Sequence, residues 1–184
     1  MSSLVLHGHF YQPPRENPWT GHIDREESAH PFSDWNERIH YECYAANARV
    51  RLKDRVVNNY RRMSFDFGPT LLEWVERFHP RTYRSLIEAD RESIRENGGH
   101  GNAMAHAYIH AILPLCNKRD RKTLIRWGLR DFENRFERTS ESLWLPETAC
   151  DEATLEDLIE ESLRFVVLSP QQAGRFRAFG ENSW

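Results

Sequence analysis

One carboxylate in this sequence stands where it could attack a sugar. The apolar segment 143–146 ends in proline immediately before Glu147, and Asp151 could cap a helix that follows. A glutamate at the mouth of a strand, beside a large aromatic side chain such as Trp144, could act as nucleophile or acid in glycoside hydrolysis. A glutamate in a strand-to-helix turn can equally be a solvated or capping residue. The segment alone leaves both interpretations open.

Two histidines near the amino terminus form a second candidate group. His7 and His9 flank Gly8 at the end of an apolar run. Side chains alternate across a strand, so both imidazoles should lie on the same side. They could hold sugar hydroxyls or a metal ion, or they could be partly buried histidines with hydrogen-bond partners inside the protein.

Aromatic and amide side chains follow in a long loop, residues 11–36. Gln12 offers both a donor and an acceptor, and Tyr11 and Trp19 could stack on the apolar faces of sugar rings. The alternative is a rigid proline-rich turn that only packs its aromatic residues. Unstructured stretches of this length inside a domain are uncommon and are often functional.

The end of that loop and a later glycine-rich segment add further candidates. Trp35 and Asn36 could line a sugar subsite, although Asp34 or Asn36 could simply cap a helix. Further along, the sequence Asn-Gly-Gly at 97–99 should stop a helix. The residues after it include three candidate hydrogen-bond partners for sugar hydroxyls, His100, Asn102 and His106. An ordinary helix-to-strand connection would explain the same residues.

The composition argues against several classes of protein. A formal net charge of -3 gives no basic surface for nucleic acid, and no stretch approaches the roughly 20 apolar residues of a membrane span. Three widely spaced cysteines, Cys43, Cys116 and Cys150, indicate reduced thiols rather than a disulfide framework. We therefore expect a cytoplasmic protein without nucleic-acid or membrane partners, and we predict neither a cofactor nor a metal.

The elements that must position these residues follow from the apolar pattern. Strands are predicted at 4–10, 64–67, 100–108, 142–146 and 164–168. Helices are predicted at 38–60, 71–78, 81–96 and 119–138, and after Asp151. Strands that alternate with helices indicate a parallel sheet of β-α-β units.

Two of these predictions rest on specific residues. The first helix rests on Ala48, Leu52, Val56 and Tyr60, which fall on one stripe at a spacing of four. We expect Thr70 to cap the next helix.

The carboxyl-terminal part should contain one helix and one strand. Leu155, Leu158 and Ile159 should face inward from the helix after Asp151, and the apolar run 164–168 should be a strand buried on both faces.

Taken together, five segments resemble glycoside hydrolase family 57, in its divergent amylase- or mannosidase-like group. They are HGHFYQPPRENPW from His7, DWNERI from Asp34, FGPTLLEW from Phe67, GHGNAMAHAY from Gly99 and WLPET from Trp144. The match runs over essentially the whole chain. The combination of the first and last motifs is specific, whereas either one alone would not be.

The resemblance implies an α/β fold that is the N-terminal part of a (β/α)7 incomplete TIM-like barrel, and a retaining mechanism on α-linked sugars. The family's nucleophile falls on Glu147, its first-motif histidine falls on His7 or His9, and Trp144 would line the same subsite. In this chain Phe10 and Tyr11 intervene before the usual Gln-Pro.

Two further departures concern carboxylates. The family's second motif usually holds a glutamate, where this chain offers Asn102 and His106. The family's acid/base aspartate lies on a later strand, past Trp184, and none of the carboxylates Asp34, Glu37, Glu42 and Asp66 matches its motif.

We therefore expect residues 1–184 to form a single partial barrel domain of a hydrolase or glucanotransferase whose acid/base lies outside this chain. Alone, it should be poorly soluble or oligomeric, because an open sheet edge exposes apolar surface. Two alternatives remain: a carbohydrate-binding remnant, or a metal-dependent hydrolase using His7 and His9, where Tyr11 stands in place of a third ligand aspartate.

Overall fold

A parallel sheet of four short strands organises the protein. The computed structural model describes residues 4–175, 177 and 180. The strands are β1 (His7–Phe10), β2 (Val50–Leu52), β3 (Arg55–Val57), β4 (Ser64–Phe67), β5 (Ala103–His106) and β6 (Leu143–Trp144). The parallel sheet has the order β1-β4-β5-β6, and β2 and β3 form a separate antiparallel hairpin.

The register of the sheet brings polar residues of neighbouring strands side by side. His9 pairs with Asp66, Asp66 with Met104, and His106 with Trp144. Because the strands are parallel, their carboxyl ends meet at one edge. This edge therefore collects the side chains from which a site can be built.

Helices connect the strands of this sheet. They are α1 (Trp35–Ile39), α2 (Ala45–Ala48), α3 (Pro69–Phe78), α4 (Pro80–Glu96), α5 (Lys118–Phe136) and α6 (Glu152–Glu160). A π-helical turn, His40–Tyr44, joins α1 to α2. Among the described residues, no helix is long and apolar enough to cross a lipid bilayer.

The helix predicted over 38–60 is confirmed only as far as Ala48. Helical structure ends at Ala48, and a β-hairpin with Lys53 in a left-handed turn (φ 49°) replaces the rest. Leu52 and Val56 are 46% and 53% exposed, so the apolar stripe is not a buried helix face. The β-branched residues of this stretch favour extended backbone over helix.

The start of α3 also differs from the prediction. Gly68 is the N-cap and Pro69 is the first helical residue, so Thr70 does not cap the helix. Proline suits this position because its missing N–H would have no partner inside the helix anyway.

The carboxyl-terminal elements match the prediction only in part. Asp151 caps α6 and Leu158 is buried, as expected, but Leu155 and Ile159 are 37% and 71% exposed. The predicted fifth strand reaches the sheet through a single bridge between Ser142 and Phe165. Phe165 is 53% exposed at this edge, so the segment is not a strand buried on both faces.

Aromatic side chains form the core behind the site. Phe10 stacks on Phe67 with 4.7 Å between ring centroids, and Tyr60 contacts both edge-on or tilted. The Tyr60 hydroxyl donates to the backbone carbonyl of Tyr44, which satisfies a fully buried polar group. This core fixes β1 against β4 and so sets the positions of the histidines that β1 carries.

Helix α5 lies unusually close to β5. A Cβ atom built on Gly128 would lie 2.1 Å from the backbone oxygen of His106. Only glycine allows this approach, because any side chain would overlap the strand. The contact holds the end of β5 in place.

The beginning of β5 is fixed by an ion pair. Asp90 is fully buried and accepts from Arg138 through both carboxylate oxygens, each at 2.9 Å. The same carboxylate accepts the backbone N–H of Ala103 at 2.7 Å. Both ends of β5 are therefore held by specific contacts with helices α4 and α5 and with the segment after α5.

Candidate active site

A buried aspartate organises the carboxyl edge of the sheet. Asp66 accepts from His7 Nε2 at 3.0 Å and from His9 Nδ1 at 2.9 Å, one imidazole on each oxygen. The other nitrogen of His7 lies 2.8 Å from the hydroxyl of Ser64. Asp66 thus orients both histidines and leaves His9 Nε2 free of this network.

An indole ring covers the two histidines. Trp144 stacks on His7 and His9 with centroid distances of 5.0 and 4.5 Å. Its indole nitrogen is buried and has no hydrogen-bond partner among the described residues. Buried polar atoms usually have a hydrogen-bond partner. This N–H has none in the part of the chain that the structure describes, so it is available to donate to a ligand once the side chains packed around it move.

A second row of rings lies beside His9. His106 and His110 stack near it at 5.8 and 5.5 Å, and Tyr11 stacks on His110 at 3.9 Å. Burial raises the pKa of Tyr11, so its phenol stays protonated at neutral pH. The rings make one continuous aromatic surface.

Hydrogen bonds in this row define which nitrogens carry protons. His106 Nδ1 donates to the Ala107 carbonyl at 2.6 Å, so its Nε2 must accept from His110 Nδ1 at 3.1 Å. Burial lowers the pKa of His106 to about 4, which keeps it neutral. His110 Nε2 then faces Glu147 Oε1 at 3.0 Å, and one proton must lie between these two atoms.

Glu147 itself sits on strained backbone. It lies in a 3-10 turn, Pro146–Thr148, and both Glu147 (φ 57°) and Thr148 (φ 52°) are left-handed. This region is unfavourable for residues with a side chain, above all for a β-branched threonine, and such strain clusters at functional sites. The side chain of Glu147 is 69% exposed.

An open depression of about 280 Å³ lies at this point, lined by His9, Trp144, Glu147 and Thr148. It brings a carboxylate, an imidazole and an indole to one surface. A larger cavity, of about 430 Å³, has His7 in its lining but none of His9, Trp144 and Glu147.

Five of the predicted site residues come together here: His7, His9, His106, Trp144 and Glu147. Two others lie at the amino end of β5 instead. His100 pairs with Glu141 at 2.8 Å, and the side chain of Asn102 donates to the backbone carbonyls of Tyr60 and Arg61. Neither joins the cluster.

The loop candidates are engaged in local contacts. Gln12 accepts from Arg15 at 3.0 Å, and the indole of Trp35 donates to Ser28 while its ring lies under the guanidinium of Arg38. Asn36 is buried, and its side-chain oxygen has no partner within the described part of the chain. Asp34 is the helix cap, accepting the N–H of Glu37 at 2.9 Å.

Sequence reasoning missed the roles of two residues. Asp66 is a lone charge between two phenylalanines in a buried strand, which is a signal for a partnered carboxylate. His110 follows His106 by four residues, but the strand predicted over 100–108 ends before it. The sequence therefore provided no reason to place the two histidines together. Tyr11 was considered for sugar stacking and does join the cluster.

Among the residues that the structure describes, two groups of side chains could hold a metal ion. In one, ring nitrogens of His9, His106 and His110 lie within 4.8 Å of one another. In the other, Glu37, His40 and His79 meet between α1 and the end of α3. In this second group His79 Nε2 lies within hydrogen-bond distance, 3.0 Å, of Glu37 Oε1. The His79 ring stacks on that of His40 with 3.5 Å between centroids. These contacts fix the end of α3 against the helical segment that begins with α1.

The parallel α/β sheet with a polar cluster at its carboxyl edge places the protein in the class of barrel-type folds with a site on that face. The sequence profile of glycosyl hydrolase family 57 matches residues 4–171, and the chain belongs to this family. A search of curated proteins found no significant relative.

Solved structures of similar fold carry the names of family 57 enzymes and related amylases. A 4-α-glucanotransferase from Thermococcus litoralis is 17% identical, with a TM-score of 0.58 over 89% of this chain and 22% of its own. A maltose-forming amylase from Pyrococcus sp. ST04 is 15% identical, with a TM-score of 0.59 over 89% and 29%. A branching enzyme from Thermococcus kodakaraensis is 14% identical, with a TM-score of 0.55 over 88% and 39%.

These likenesses confirm the predicted fold class, α/β and part of a (β/α)7 barrel. The chain spans between 22% and 39% of the length of these three structures.

Proposed function

We propose that the protein is a retaining glycoside hydrolase or glucanotransferase acting on α-linked oligo- or polysaccharides, with Glu147 as its nucleophile. The observation that carries the proposal is the position of Glu147. It stands exposed at the carboxyl edge of the sheet, beside Trp144 and His9, in a depression that could receive a sugar ring. The names of the similar structures support a sugar-chain substrate.

The surrounding side chains suit the binding of sugar. Trp144 could stack on an apolar ring face, and His9 Nε2 could bond a hydroxyl, whereas both ring nitrogens of His7 are engaged by Ser64 and Asp66. His110 holds the Glu147 carboxylate through one oxygen and leaves the other for attack. We propose Gln12, Trp35 and Asn36 for more distant subsites. The proposed site does not include His100 and Asn102, because they lie at the other end of β5.

Retention requires two carboxyl groups, about 5–5.5 Å apart. In the first step a Glu147 oxygen bonds to the anomeric carbon as the bond to the leaving oxygen breaks, and the acid protonates that oxygen. Water then attacks the anomeric carbon as its bond to Glu147 breaks, and the group that acted as the acid takes the proton of that water as a base.

Asp66 does not suit the acid role, since it is buried and both of its oxygens accept from histidines. We therefore propose that the acid/base aspartate comes from outside this chain. Residues 1–184 would then be one partial barrel domain. The cytoplasmic location stays a prediction; the free thiols of Cys43, Cys116 and Cys150 fit a reducing compartment.

The test uses the complete natural protein that contains this chain, assayed on maltooligosaccharides. Glu147→Gln should reduce turnover by several orders of magnitude and keep oligosaccharide binding, because the amide cannot attack. Glu152→Gln, at an exposed position on α6, should keep full activity. Added azide should rescue Glu147→Ala by forming a glycosyl azide of inverted configuration.

Full turnover by Glu147→Gln would refute the assignment of the nucleophile. Oligosaccharide binding by the unaltered protein without any turnover would instead favour the carbohydrate-binding alternative.

A further inference from the structure

We propose that His9, His106 and His110 bind one divalent transition-metal ion, for which zinc is the best match. The site shares a neighbour, Glu147, with the proposed function but does not depend on that residue acting as nucleophile. It also differs from the pair His7 and His9 considered from the sequence, because both ring nitrogens of His7 have partners within the protein. The sequence-based expectation of no metal stays a prediction, and the zinc titration described below tests it.

The outer nitrogen of each histidine is already held by an acceptor. His9 Nδ1 donates to Asp66 at 2.9 Å, and His106 Nδ1 donates to the carbonyl of Ala107 at 2.6 Å. His110 Nε2 lies 3.0 Å from Glu147. Metal-binding histidines characteristically donate their second N–H to a carboxylate or a backbone carbonyl, which fixes the ring and its tautomer. All three rings have this arrangement.

The nitrogens left over are those that would bind the ion: His9 Nε2, His106 Nε2 and His110 Nδ1. The last two lie 3.1 Å apart. Two nitrogens bound to zinc at about 2.1 Å in a tetrahedral site are roughly 3.4 Å apart. These two ligands therefore need to separate by only a few tenths of an ångström, and His9, on the exposed side, would approach them.

A metal ion also resolves the proton arrangement at Glu147. Without it, His110 must give its Nδ1 proton to His106, and an additional proton has to be shared between His110 Nε2 and the carboxylate. With a metal on Nδ1, the neutral imidazole carries its proton on Nε2 and donates to Glu147.

The chemistry of the three imidazoles selects the class of metal ion and the kind of molecule that the ion would bind. Three neutral imidazoles suit zinc, copper or nickel rather than magnesium or calcium, which prefer oxygen. Three protein ligands leave a fourth position open. That position would face the depression lined by His9, Trp144 and Glu147, where a water molecule or a sugar hydroxyl could bind.

The experiment is a zinc titration of the complete protein after chelator treatment, with a chromophoric chelator as competitor. One zinc ion per chain should bind. His9→Ala and His110→Ala should each weaken binding at least about 100-fold, and Asp66→Asn by about 10–100-fold. Cobalt bound in place of zinc should give visible absorption bands that the alanine variants lose.

Two matched controls remove histidines elsewhere. His100→Ala, at the amino end of β5, and His79→Ala, in the second histidine group, should keep the zinc affinity unchanged. Circular dichroism checks the fold of each variant, and His9, which is exposed, carries the test if His110→Ala does not fold. Absence of stoichiometric zinc, zinc that persists in the His9 variant, or zinc lost only with His79 would overturn the proposal.

Discussion

The imidazole of His110 lies 3.0 Å from the carboxylate of Glu147, although 37 residues separate them in the sequence. The contact joins a row of stacked histidines to the exposed carboxylate at the carboxyl edge of the sheet. The orientation of Glu147 therefore depends on a ring that belongs to the loop after β5.

The stack of Trp144 on His7 and His9 should matter for sugar binding. We expect Trp144→Ala to raise the KM for oligosaccharides about 3–10-fold, since an aromatic contact contributes roughly 0.5–1.5 kcal/mol beyond its buried area. Trp127→Ala removes an indole that is 57% exposed on α5 and should leave the KM unchanged. Equal effects of both substitutions would argue against a sugar subsite at Trp144.

Buried His106 should make the protein less stable in mild acid. Its pKa is lowered to about 4 by burial, whereas in the unfolded chain it is 6.5. The unfolded state therefore binds more protons between these values, and stability should fall as the pH drops from about 6.5 to about 4. The full loss is roughly 3–4 kcal/mol, from about 1.4 kcal/mol for each pKa unit over the shift from 6.5 to about 4.

Urea unfolding across this range, in the presence of a chelator, measures the effect. The His106→Gln variant should lack this part of the pH dependence, because glutamine does not titrate. If the variant and the unaltered protein lose stability in parallel, His106 is not responsible.

The close approach of α5 to β5 should make Gly128 irreplaceable. Gly128→Ala places a methyl group 2.1 Å from the backbone oxygen of His106 and should destabilise the protein by about 1–3 kcal/mol or more. Gly174→Ala, where a Cβ meets nothing within 4 Å, should be nearly neutral. Thermal unfolding of both variants checks this, and a neutral Gly128→Ala would contradict the described contact.

The ion pair at the start of β5 should contribute strongly to stability. Arg138→Met leaves the fully buried carboxylate of Asp90 without its charged partner and should cost about 3–5 kcal/mol. Arg91→Met breaks a pair with Glu137 whose side chains are 49% and 70% exposed, and should change stability by less than about 1 kcal/mol. Comparable losses from the two variants, in urea unfolding, would contradict this difference.

Much of the fold follows from local patterns. Three of the strands, 64–67 above all, and the helices α4 and α5 were predictable because apolar spacing and helix-stopping residues are local signals. The hairpin at 50–57 was not, since its residues also satisfy a spacing of four. Only the exposure of Leu52 and Val56 in the folded protein separates the two interpretations.

The sequence by itself determined the residue types of the site: Glu147 after an apolar strand, Trp144 within it, and His7 and His9 on one side of β1. The tertiary structure decided which residues share the site, because strand direction and register set which end of β5 each residue occupies. His106 therefore lies in the cluster, and His100 does not. Asp66 gained its role from contacts with His7 and His9, and His110 from its contact with Glu147, all distant from them in the sequence.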